Sequence, residues 1–312
     1  MEGIKNFDDF YEQRLQPYMA NLREQGSNAY GWGIASGIFF VLIIPVMAWT
    51  VNGGAGGFGG ILILLMIAAT ATCVYYNTKA KEDYEDNYKQ QVILQIIQFI
   101  HPGLEYKPEL CINHKDYVNS SLCRGWYDDY NGEDWIGGNY KGINFKCCEL
   151  DVRHRSGSRN SGAIVYRGLF FAAPLPIGFS GGTYVWTKDN IQLAASIAEE
   201  RYRMLPMPEV VRVDCRNGEF EKHYVVYTTD VNEASYLVNQ QIMEAVVQFK
   251  TQIGRDISIS FVAGIFYAAI PFDENLFEPK GNEPDDKEAI KKYFFTVLLI
   301  LSIINKLQLD KL

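Results

Sequence analysis

Signatures of catalysis are missing from this sequence. It holds no H-E-x-x-H helix, no Walker loop and no kinase motif. Histidine is scarce: His101, His114, His154 and His223 stand singly, with no evident nucleophile beside them. Positive charge is in deficit too, since 29 Lys and Arg against 37 Asp and Glu give a formal net charge of −8. That balance argues against nucleic acid as a general partner. In two stretches charge vanishes altogether. Residues 31–51 and 61–76 carry no charged side chain, and the bend between them has neither Lys nor Arg.

Between those stretches, NGGAGGFGG (52–60) contains a literal G-x-G-x-x-G at Gly54, Gly56 and Gly59, with Glu82 and Asp83 downstream. A dinucleotide cradle needs a short strand before the motif and a helix with a polar back after it. Neither is present. The 31–51 run is too long for a buried strand and contains Pro45, which would remove a ladder hydrogen bond. The 61–76 run is apolar all round. Each run, with its glycine flank, has the length that crosses a bilayer. The pattern therefore predicts a transmembrane hairpin, with spans at 31–51 and 61–77 and a glycine-rich bend at 52–60. Trp32, Trp49, Tyr75 and Tyr76 fall where interfacial aromatics belong. Gly33 and Gly37 form a small-x-x-x-small face suited to close helix approach, or to a homo-oligomer. The first span begins too late for a cleaved secretory signal.

Arg14 and Arg23 precede the first span, and Lys79, Lys81 and Lys89 follow the second. The positive-inside rule then predicts a multi-pass protein of the inner (cytoplasmic) membrane with both termini in the cytoplasm. Roughly 250 residues remain outside the hairpin, enough for one sizeable core or two small ones. Cys73 falls in the second span; Cys111, Cys123, Cys147, Cys148 and Cys215 fall on the reducing side. All are expected to be free thiols.

Two amphipathic patterns flank the spans. Residues 1–30 form a cytosolic helix with Phe7, Phe10, Leu15, Tyr18 and Leu22 at helical spacing, and Pro17 is expected to kink or break it. Residues 78–103 form a stalk helix with Tyr84, Tyr88, Val92, Ile96 and Ile100 on one side, stopped by His101-Pro102-Gly103. A short bend makes the spans neighbours, so the two extensions are expected to pair as an antiparallel stalk. That pairing sets Leu22 near 81–85 and Tyr11 near 92–95.

Residues 104–312 read as a cytosolic α+β domain on a mostly antiparallel sheet with packing helices. Strands are expected at 142–152 and 162–174, joined by the polar loop RHRSGSRNS, and at 183–188. A helix follows at 191–204, then a hairpin of 210–215 with 221–229 around Asn217-Gly218. An amphipathic helix at 239–253 leads to a strand at 257–261, a turn at Gly264 and IFYAAI. The last helix, 285–309, has an apolar core that is short and flanked by Lys292 and Lys306. It is expected to be a buried packing helix; membrane contact over 293–309 is left open.

The order of these segments resembles a known family. VYRGLFFAA (165–173), GGTYVW (181–186), EFEKHYVVYTTDVNEASYLV (219–238) and ISISFVAGIFYAAIP (257–271) are similar to the bacterial membrane-protein family called domain of unknown function 3137. YNGEDWIGG followed by GINF looks like a stretch near the start of that domain, so the resemblance covers roughly 80–310. It implies a paired-span layout, and it brings no activity and no site residues.

Three clusters invite chemistry. Cys111-x-x-His114, with Cys123 and Cys147-Cys148, has the residue types of a zinc site but only one tight pair. Adjacent strand residues point to opposite faces, so Cys147 and Cys148 would not act together, and no metal is expected. Asp128, Asp129, Glu133 and Asp134 lack the alternation of a calcium loop and read as a solvated turn. Arg153, His154, Arg155 and Arg159 form a basic loop that would contact an anionic group, weighed against a plain hairpin tip. No cofactor is expected.

These features predict a membrane-anchored cytosolic binding or assembly (scaffold) protein. The alternative is a membrane-tethered enzyme acting on a lipid-linked or membrane-protein substrate. The expected partners are the lipid bilayer and another membrane or cytosolic protein.

Overall fold

The computed structural model describes residues 7–53, 58–123, 127–154, 162–188, 210–279 and 286–311. It divides into two compact units, Met1–Phe99 with Phe277–Phe294, and Ile100–Leu276 with Phe295–Leu312.

The first unit is built on α1 (Gln16–Val51) and α2 (Phe58–Tyr88), continued by α3 (Leu94–Ile100). Pro17 neither breaks nor ends the chain's helical path. It sits in the first turn of α1, inside a helical path that runs from Phe7 to Val51. The turn before it, Tyr11–Leu15, is a wider π turn. A second π turn, Lys89–Ile93, links α2 to α3.

Helices α1 and α2 run antiparallel. Trp32 stacks on Tyr76 with centroids 5.1 Å apart, and the Asn87 amide donates to Gln25 Oε1 at 2.9 Å. Further along, Phe10 stacks on Phe99 at 4.5 Å. This register places Leu22 roughly one turn beyond Asn87, so the expected pairing of Leu22 with 81–85 is one to two turns out.

Phe7, Phe10, Leu15, Leu22, Tyr84, Tyr88, Val92 and Ile96 are buried, whereas Tyr18 is exposed. The stripes do not bury one another alone. Phe294 meets Phe7 at 5.3 Å and Phe10 at 6.2 Å, Tyr293 meets Tyr88 at 6.3 Å, and Lys287 pairs with Asp8 at 2.7 Å. Toward the bend the character reverses. Ile38, Phe40, Val41, Ile44, Val51, Phe58, Leu64 and Leu65 are all exposed.

The second unit is α+β. Among its described residues nine strands run β1 (Leu104–Lys107), β2 (Asp129–Tyr140), β3 (Ile143–His154), β4 (Ala163–Pro174), β5 (Gly182–Thr187), β6 (Val211–Val213), β7 (Tyr224–Thr228), β8 (Ser258–Val262) and β9 (Ile265–Pro271). They form one antiparallel sheet in the order β1-β2-β3-β4-β9-β8-β5-β7-β6. Period-two alternation sorts its side chains. Cys148, Leu150, Val152, Tyr166, Phe170, Tyr184 and Tyr267 gather in one cluster with Tyr117, which α4 (His114–Ser120) supplies. Cys147 is buried too, but outside that cluster; its β4 partner Phe171 stacks on Phe145 at 5.3 Å.

Two expectations fail here. The acidic run Asp128–Asp134 is no solvated turn, because Asp129 opens the twelve-residue strand β2. Asn217-Gly218 is no tight hairpin turn: the Asn217 side chain accepts the Phe220 N–H at 3.1 Å and caps α5 (Gly218–His223). Strands β6 and β7 pair across that insertion. Helices α6 (Val231–Leu237) and α7 (Gln240–Ile253) follow. The expected helix at 191–204 lies outside the described residues. The last helix, α8 (Lys287–Lys306), buries Ile290, Tyr293, Val297, Ile300, Ile303 and Ile304, and 61% of its apolar window is enclosed.

Candidate functional site

Strand alternation builds a polar cleft on β2, β3 and β4. In ELDVR (149–153), Leu150 and Val152 turn into the core, so Glu149, Asp151 and Arg153 share the other face. The register sets Asp129 opposite Arg153, Asn131 opposite Asp151, Glu133 opposite Glu149, and Arg167 of β4 opposite Asp151. These residues, with Gly132 and Asn275, line a cavity of about 490 Å³.

Asp151 is the centre of the constellation. Arg153 Nε donates to its Oδ1 at 2.6 Å and Arg153 Nη2 to its Oδ2 at 2.7 Å, a two-pronged grip. Arg167 Nε donates to Oδ2 at 2.9 Å, and its Nη2 reaches the same oxygen. Hydrogen bonds from Arg153 and then Arg167 hold the Asp151 carboxyl below its ordinary range. It therefore stays ionised near neutrality and is no proton shuttle. Glu149, almost fully buried, accepts the Leu276 N–H at 2.8 Å. The cleft thus offers fixed charges and open polar space.

Of the basic loop, Arg153 is committed to Asp151, and His154 Nδ1 stands 3.9 Å from Asp128 Oδ2. Arg155 and Arg159 lie outside the described residues. Arg167, the second cation at the cleft, belongs to β4. Only the polar alternation at 149–153 marks this face in the sequence.

The acidic run disperses. Asp129 and Glu133 face the cleft, whereas Asp134 is buried at a break in the β2–β3 register, with φ 58°. Its N–H donates to the Pro108 carbonyl at 2.8 Å, and the Tyr106 hydroxyl donates to its carboxylate.

Of the cysteine–histidine group, Cys148 lies in the core cluster with Cys111 and Cys123 packed against it, and Cys147 lies outside it. His114 Nε2 lies 2.7 Å from the Tyr127 hydroxyl, while Cys148 Sγ accepts the Ile112 N–H at 3.2 Å. All six cysteines are free. Burial pushes Cys111, Cys123, Cys147 and Cys148 up, and Cys215 to about 11, so these thiols remain protonated. Among the described residues, no group of three or more His, Cys, Asp or Glu is arranged to hold a metal ion.

The first unit carries a second cavity, of about 550 Å³, where Ala29–Ile34 of α1 faces Asn77–Glu85 of α2 beside Glu278. A Cβ on Gly33 would lie 3.3 Å from Asn77 Oδ1, a tight contact that the Asn77 side chain would have to yield to.

Residues 164–309 match the family described as "Protein of unknown function (DUF3137)", the family named from the sequence motifs. The match starts at β4, so YNGEDWIGG lies outside it. No curated protein matches the chain. Among solved structures, "crystal structure of the mycobacterial trehalose monomycolate transport factor A, TtfA" aligns over 69% of this chain and 93% of that one. Its TM-score is 0.32 and its identity 10%, a likeness too slight to carry an argument.

Proposed function

We propose that this chain is a membrane-anchored binding or assembly protein, with α1 and α2 crossing the inner membrane as a hairpin and the α+β unit working in the cytoplasm. The observation that carries the reading is the exposed apolar surface of both helices on their bend-proximal halves, which none of the described residues covers. A surface of that extent on a soluble chain would aggregate.

Hydroxyl chemistry along the same stretch agrees. Ser36, Thr50, Thr70 and Thr72 each donate to a carbonyl three or four residues back in their own helix, at 2.7–2.8 Å. Polar groups facing hydrocarbon need such internal partners. Lys79 and Lys81 at one end, against an uncharged bend at the other, orient the hairpin with both termini inside.

Binding is favoured over catalysis because Asp151 is held ionised and the thiols are held neutral. The polar cleft on β2–β4 is the surface we assign to a cytosolic partner. Extraction tests the anchoring. Membranes washed at high salt and then in alkaline carbonate should retain the protein in the pellet, and release by carbonate would contradict it.

A further inference from the structure

We draw no further inference here: the strongest candidate, the cavity of about 550 Å³ in the helical unit, has Glu278 and Pro279 on its wall, where the described residues stop, and nothing in the structure shows what covers it.

Discussion

The Asn87 side-chain amide donates to Gln25 Oε1 across 2.9 Å, between residues 62 positions apart. This bond fixes how α1 slides against α2. With Phe10 on Phe99 it sets the register of the whole pair. Gln25→Cys with Asn87→Cys, in a chain lacking its native cysteines, should therefore join rapidly through a short bis-thiol linker. Leu22→Cys with Tyr84→Cys, one to two turns out, should join at least fivefold more slowly. The reverse ranking would contradict the register.

Asp151 makes stability depend on acid. Its folded pKa is lowered by Arg153 and then Arg167, below the unfolded value of about 3.9. A depressed folded pKa gives stability that is complete above the unfolded value and is lost as pH falls through the folded one. Asp151→Asn should cost about 1.5–3 kcal/mol at pH 7, the range for hydrogen bonds to charged groups. The gap between variant and parent should shrink as pH falls below about 3.9. Thermal unfolding in detergent at pH 7 and at pH 3 measures both, and an equal gap at the two values would refute the ion-pair account.

Gly168 is held at φ +144°, where β4 presses on β9. A Cβ there would collide with the Ile270 carbonyl oxygen and come within 2.8 Å of the Phe272 nitrogen. Gly168→Ala should destabilise the domain by about 1–3 kcal/mol, the cost of a strained backbone position, and by more if the strands part. The lowered midpoint is read by thermal unfolding, with Gly178→Ala as the control, since a Cβ at Gly178 meets nothing within 4 Å. Equal midpoints for the two variants would count against the close approach.

The Tyr106 hydroxyl is the partner of a buried acid. Tyr106→Phe removes a donor from Asp134 and should lower stability by about 1–3 kcal/mol, the cost of leaving a buried group unsatisfied. Asp134→Asn should cost less, because a neutral amide needs less compensation in the same place. If the two costs rank the other way, the carboxylate is not the group that Tyr106 serves.

Local signals carried far into this fold. Alternation in 149–153 set which residues enter the core and which line the cleft, and Asn239 and Gly254 bracket α7 as cap residues should. One failure was a local choice between two motifs, and the others depended on partners distant in the chain. Asn217-Gly218 had the chemistry of a hairpin turn, yet the same amide also caps helices, and it caps one here. Asp134 looked solvated because its neighbours are polar, but Tyr106 and the Pro108 carbonyl enclose it from another segment. Arg167 gave no signal of its own, since nothing local shows that β4 sets it against Asp151. The segment Phe277–Phe294 joined the helical unit for a reason equally remote, the aromatic contacts of Tyr293 and Phe294.

Topology is the most direct test of a hairpin anchor bearing a cytoplasmic domain. Fusions placed after Asn52 and after Leu312 would each carry alkaline phosphatase or a fluorescent protein that matures only in the cytoplasm. The account predicts phosphatase activity at the bend and fluorescence at the last residue. Phosphatase activity after Leu312, with no fluorescence there, would contradict it.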